Sequence, residues 1–130
     1  MLVKWCGAPF NRLFTGGIDT VIHSWDVQNM KETSVRDGLN LTKQDADNCH
    51  KDYIMDLLPI PDLQLLASAG LDKKICLWKM DENLTPKSPL IGHMEGVYSL
   101  DWFADNHMIL SAGLDHDVFI WNPHVPRRIF

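Results

Sequence analysis

His93, Ser111 and Asp115 are the residues of this chain whose types could do chemistry together. In a nucleophilic triad a base takes the serine proton and a carboxylate orients the base. Trp121, six residues beyond the aspartate, adds an indole N–H that can only donate. The same set recurs as His50, Ser68, Asp72 and Trp78. In both copies the histidine stands 22 residues before the aspartate and the serine four before it. Thr15, Asp19 and Trp25 form a third, partial copy with the same spacing. An enzyme seldom needs one active site per repeat. Neither serine occupies the glycine-flanked elbow that exposes a nucleophile. The set therefore reads first as a structural hydrogen-bond chain, because buried polar groups must find partners. Hydrolase-like use of His, Ser and Asp is the alternative.

Metal ligation is a weaker reading of the same residues. His50, His93 and the run Asp115-His116-Asp117 offer ligand types, but a site needs three or four converging groups. The repeats place the two histidines in different units. Asp45-Ala-Asp-Asn-Cys49 resembles the start of a calcium loop, with His50 where that loop requires glycine and no glutamate at its twelfth position. No metal and no cofactor is expected. Cys6, Cys49 and Cys76 are odd in number and contain no Cys-x-x-Cys pair, which points to reduced thiols in an intracellular protein. Two sequons, at Asn40 and Asn83, lean weakly the other way.

The chain of 130 residues is 45% hydrophobic and 22% charged, the balance of a globular protein and not of a disordered tail. No apolar run approaches the roughly 20 residues of a membrane span, and the N-terminus has no secretory-signal pattern. The net charge of -5 and the lack of basic clusters beyond Arg127-Arg128 disfavour nucleic acid as a partner.

The elements that must position these residues read as strands. Ile75–Trp78 and Val118–Trp121 are short apolar or β-branched runs entered through Gly-Leu-Asp turns. Before them lie Leu65–Ser68 and Met108–Ser111, and before those Tyr53–Leu58 and Val97–Phe103. Pro59-Ile-Pro-Asp62 and Ala104-Asp-Asn106 separate the pairs, and a further short strand is expected at Pro89–Ile91. Successive Trp residues are 53 and 43 residues apart, and four strands in about 43 residues is the period of a propeller blade. The longer interval carries about ten extra residues in Gln28–Asn48, a polar stretch expected to be a solvated loop. Thr85-Pro86 and Ser88-Pro89 are candidates for proline-directed phosphorylation.

On these residues the chain resembles the WD-repeat (WD40) β-propeller family. Gly92-His93 matches the family's Gly-His, where the second unit has Cys49-His50. Trp25-Asp26 matches its closing Trp-Asp, where the others read Trp78-Lys79 and Trp121-Asn122. The repeated Ser-Ala-Gly-Leu-Asp before an Ile/Val-x-x-Trp strand is similar to large multi-repeat members that also carry EF-hand modules. The resemblance implies an all-β fold: about three four-stranded antiparallel blades of a longer propeller, of seven blades or more. Residues 1–36 form blade 1, 49–91 blade 2 and 92–130 blade 3, the last with an incomplete fourth strand. It also implies that Trp donates to Ser or Thr, which pairs with His, which pairs with Asp.

A histidine 22 residues before Asp19 would fall ahead of Met1, so the first blade is expected to be truncated. Seven blades need roughly 300 residues, and the remaining blades of a parent chain would be needed to close the ring. The function implied is a non-enzymatic scaffold for protein partners. Its contacts would be made by the apolar residues before each turn aspartate, Ile18, Leu71 and Leu114, and by Tyr53, Met94 and Glu95 behind the histidines. The setting implied is intracellular and cytoplasmic, with cilium or cytoskeleton as further settings.

Overall fold

A computed structural model of the chain describes residues 1–36, 48–81, 83–125 and 127–130. Among the described residues twelve strands form three four-stranded sheets, each antiparallel and each ordered as the chain runs. The first holds β1 (Leu2–Cys6), β2 (Arg12–Gly16), β3 (Ile22–Asp26) and β4 (Lys31–Arg36). The second holds β5 (Ile54–Ile60), β6 (Leu65–Gly70), β7 (Lys74–Lys79) and β8 (Leu90–Ile91). The third holds β9 (Val97–Phe103), β10 (Met108–Gly113), β11 (Val118–Asn122) and β12 (Arg127–Arg128). The opening strands β1, β5 and β9 lie side by side, so the sheets stack face to face about a common inner edge. This is the arrangement of partial propeller blades.

Two expectations change. The polar stretch after Val27 is not all loop, because Lys31–Arg36 pairs with β3 as the fourth strand of the first sheet. Its side chains face solvent where described, which is why its sequence looks like a loop. Residues 37–47, with the Asn40 sequon and most of the Asp45 run, lie outside the described residues. The second strand boundary to move is that of β5, which continues through Pro59, opposite Leu66, to Ile60. Proline is tolerated because β5 is the edge of its sheet, and the missing N–H costs no ladder bond there. The chain then turns through a short 3-10 segment, Pro61–Leu63, as it does again at Ala104–Asn106. In the last sheet β12 has two residues, and pairing continues as Ile129 N–H donates to Ile120 O at 2.8 Å.

Each pair of sheets encloses an apolar layer. Phe14, Ile22 and Cys6 of the first sheet meet Leu66, Cys76, Trp78 and Met80 of the second. Ala67, Ile75 and Leu77 of the second meet Ile109, Phe119 and Trp121 of the third. Period-two alternation makes this work, since β2 sends Phe14 toward the second sheet while Leu13 and Thr15 point the other way. The repeat also shows in the turns. Thr20, Lys73 and His116, each directly after the turn aspartate, all have left-handed backbone, with φ of 65°, 70° and 65°.

Candidate functional site: a buried Trp–Ser–His–Asp chain at each sheet boundary

In the second sheet β6 and β7 set Ser68 opposite Cys76, on the face that meets the first sheet. Trp78, two residues on from Cys76 and therefore on the same face, donates its Nε1–H to Ser68 Oγ at 3.0 Å. His50 comes from the segment leading into β5. Its Nε2 is 2.7 Å from Ser68 Oγ, and its Nδ1 is 3.0 Å from each oxygen of Asp72. The carboxylate also accepts backbone N–H bonds, from Lys51 at 3.0 Å and from Lys74 at 3.3 Å. One aspartate thus ties the lead-in loop to the β6–β7 turn. Gly70 stands where the set presses on the backbone, and a Cβ there would collide with the His50 ring and the Asp72 carboxylate.

The third sheet repeats this arrangement. Trp121 Nε1–H donates to Ser111 Oγ at 2.7 Å, His93 Nε2 is 2.7 Å from the same oxygen, and His93 Nδ1 is 2.9 Å from Asp115 Oδ2. Met94 N–H donates to Asp115 Oδ2 at 3.0 Å, as Lys51 does to Asp72. In the first sheet only the end of the chain forms: Trp25 Nε1–H donates to Thr15 Oγ1 at 3.2 Å. Asp19 faces His23, whose Nε2 is 3.9 Å away, and His23 Nδ1 pairs with Glu32. This exposed cluster is not legible in the sequence, because Glu32 belongs to a strand whose polar composition reads as loop.

Burial decides what these groups can do. Ser68, Ser111, His50 and His93 are all buried, so no substrate carbonyl could reach either serine hydroxyl with the sheets closed. The aspartates respond to the same surroundings. Burial alone would raise the carboxyl of Asp72, but the His50 hydrogen bond and charge and two backbone N–H bonds hold it below the ordinary value. Asp115 is lowered in the same way by His93, Met94 N–H and Asp117 N–H. Burial would lower the pKa of His50, yet the Cys76 sulfur and Asp72 together push it up to about 10. Among the described residues no cluster of His, Cys, Asp or Glu has the makings of a metal site, and no helix is long and apolar enough to cross a membrane.

The residues expected to meet a partner lie at one end of the sheets. Ile18, Tyr53, Met94 and Leu114 are exposed, at 69%, 46%, 73% and 47%, and Glu95 beside them is exposed too. Ile18 and Tyr53 line one cleft of about 300 Å³ with Met1, Leu2 and Met55. Leu71 differs, for it packs between sheets against Gly96, where a Cβ would approach its Cδ2 to 2.8 Å. At the far end of β7, beside Lys79, Thr85 Oγ1–H of the Thr-Pro motif donates to Asp81 at 2.6 Å.

The chain is similar in sequence to known proteins. The family model described as "WD domain, G-beta repeat" matches residues 43–79 and 84–122. Over 86 residues, 66% of the chain, it is 35% identical to "Cilia- and flagella-associated protein 337 B" of Tetrahymena thermophila, covering 7% of that protein. It is 27% identical over 140 aligned residues to a subunit of "Chromatin assembly factor 1" of Mus musculus, covering 92% of this chain and 24% of that one. The Gallus gallus protein of the same name is 26% identical over 133, with 86% and 23% covered. The chain therefore spans at most about a quarter of the length of these relatives. The matched repeats contain both complete Trp–Ser–His–Asp chains, and the protein belongs to the WD40 repeat family.

Proposed function

We propose that this chain is a non-enzymatic segment of a larger WD-repeat propeller and acts as a scaffold that holds protein partners at the turn end of its sheets. One contrast carries the reading: the polar groups able to do chemistry are sealed inside, while Ile18, Tyr53, Met94 and Leu114 are exposed together at the rim. Exposed apolar groups on a rigid frame suit a protein ligand. The sheets supply the frame and the turns supply the contacts. Leu71 helps to hold the frame, and the acidic rim residues Asp19, Asp52 and Glu95 favour a partner with basic flanks.

The larger propeller is supported by burial at equivalent positions. Ile22 and Ile75 are covered by the next sheet, at 1% and 0% exposure, whereas Val118 in the third sheet is 64% exposed. On the opposite face Trp78 and Trp121 are covered and Trp25 is half-buried. Further blades of a parent polypeptide fit both faces. An intracellular setting is the reading that three buried cysteines, none in a disulfide, support, and the names of the relatives favour cilia or chromatin assembly. The test is a photoreactive residue placed at position 94 in the cell-expressed protein, with one at Lys87 as control. Crosslinks to a distinct protein from position 94 alone support the rim. Equal crosslinking from both, or a hydrolase activity abolished by Ser111→Ala in a folded chain, would overturn the reading.

A further inference from the structure

The segment that joins β7 to β8 carries core and surface residues side by side. Met80 and Leu84 are buried, at 6% and 0% exposure, in the layer between the first and second sheets. Asp81 and Thr85, each next to one of them, are exposed. One carboxylate closes the segment on itself. Asp81 Oδ1 accepts Thr85 N–H at 3.0 Å, and Asp81 Oδ2 accepts Thr85 Oγ1–H at 2.6 Å. The Asp81 carbonyl accepts Arg12 Nη1–H of the first sheet at 2.6 Å and Leu84 N–H at 3.4 Å. Leu84, inside this clasp, has left-handed backbone with φ of 48°. A leucine holds that conformation only where its surroundings impose it, and the Asp81–Thr85 bonds are among the contacts that do so.

Thr85 is open to a modifying enzyme without any movement of the sheets, since it already faces solvent. Pro86 follows it, and the residue before a proline is held extended. Here the strip runs along β7: Lys79 N–H donates to Thr85 O at 2.9 Å, Lys87 N–H donates to Leu77 O at 2.8 Å, and Pro86 stands opposite Trp78. Lys79 and Lys87 line one cleft with Asp81. Ser88, before Pro89, is exposed too, but it stands outside the clasp. Of the two Ser/Thr-Pro steps, only the first has a hydroxyl that holds a core residue in place.

We propose that Thr85 is a phosphorylation site for a proline-directed protein kinase, and that the phosphate opens the Asp81 clasp. Thr85 Oγ1 attacks the γ-phosphorus of ATP. The O–P bond forms as the bond to the β-phosphate oxygen breaks, ADP departs, and the hydroxyl proton passes to the kinase's base. The clasp then loses its O–H donor, and a group of about −1.5 to −2 charge faces a carboxylate that stood at hydrogen-bond distance. Two anions so placed repel, while Lys79 and Lys87 attract the phosphate away from Asp81. Thr85 turns off Asp81, and Leu84 loses one of its restraints. The site lies at the end of β7 away from the rim turns and is independent of which partner the rim holds.

Two backbone bonds report on the change. Lys79 N–H donates to Thr85 O within the strip, and Leu100 N–H donates to Asp56 Oδ2 at 2.8 Å between the second and third sheets, far from it in the chain. The chain is incubated with a proline-directed kinase and ATP, phosphosites are mapped by peptide mass spectrometry, and amide exchange is followed by NMR. The expected result is phosphate on Thr85, with Lys79 exchange rising about tenfold and Leu100 unchanged. Ser88→Ala leaves this response in place. Asp81→Asn, whose amide can donate to the phosphate, reduces it to under about twofold. Phosphate on Ser88 alone or on neither residue would overturn the proposal. So would a Thr85-phosphorylated chain with unchanged Lys79 exchange, Lys79 and Leu100 loosening together, or a response that survives Thr85→Val.

Discussion

Asp56 reaches out of the second sheet to accept a hydrogen bond from the backbone N–H of Leu100 in the third, at 2.8 Å. Its other oxygen lies 3.8 Å from Lys4 Nζ in the first sheet, so one carboxylate touches all three. Asp56 occupies a register irregularity in β5, which turns its side chain toward the neighbouring strands. Replacing Asp56 with Ala leaves the Leu100 N–H without its acceptor and is expected to cost about 1–2 kcal/mol in urea unfolding. Asp56→Asn, which keeps an acceptor, should lose less than half of that. Equal losses would mean that the carboxylate acts through charge alone.

Ser111→Ala strands both Trp121 Nε1 and His93 Nε2 inside a closed layer, so a loss of about 2–4 kcal/mol is expected. Thr15→Val removes only the one bond from half-buried Trp25 and should cost under about 1 kcal/mol. Denaturant midpoints of the two variants decide the matter, and similar values would show that the buried chains carry no special weight.

Acid should weaken the fold through Asp72 and Asp115. Both carboxyls lie lower in the folded chain than their ordinary value near 3.9, so their contribution is complete above about pH 5 and fades as pH falls through the folded values. His50 works in the opposite sense. Its folded pKa of about 10 is above the unfolded value near 6.5, so its contribution is complete below that value and is lost as pH rises toward 10. Thermal midpoints measured from pH 3 to 10 should therefore fall at both ends. A profile level from pH 5 down to 3 would contradict the aspartate assignment.

Lys73 and His116 carry side chains in a left-handed conformation that glycine adopts freely, at φ 70° and 65°. Both project from turns into solvent. Changing either to Gly is expected to raise stability by about 0.5–1 kcal/mol, read as a shift of the urea midpoint, and a decrease would show that the side chain makes a contact worth more than the strain.

Val118 and Ile75 are the same position in different surroundings. Ile75→Lys buries an ammonium between two sheets and should prevent folding, whereas Val118→Lys should leave the isolated chain within about 0.5 kcal/mol of the parent. Circular dichroism melts of the two variants suffice. Loss of fold in Val118→Lys would mean that this face is already covered in solution.

Much of the fold was legible because the strands are short, the turns carry Gly and Asp, and the interval between Trp78 and Trp121 repeats the period of four strands. The fourth strand of the first sheet was not, since the described side chains of Lys31–Arg36 are exposed and impose no alternation. Pro59 hid the end of β5 for a related reason: proline marks a break unless the strand is known to be an edge. At the site, the 22-residue steps from His50 and His93 to their aspartates are plain in the sequence. That Cys76 stands opposite Ser68, while Phe119 stands opposite Ser111 and stacks on His93, depends on cross-strand register, which only the folded ladder supplies.

Each histidine comes from the loop that enters its own sheet, so every complete polar chain begins and ends within a single repeat. What crosses from sheet to sheet is chiefly apolar surface, tied by a few bonds such as that from Leu100 to Asp56. The natural seams of the molecule therefore run where no buried polar network would be severed. A gene encoding such an array can gain or lose whole units by recombination at these seams, and each product keeps its internal wiring intact while the number of rim turns it displays changes one at a time.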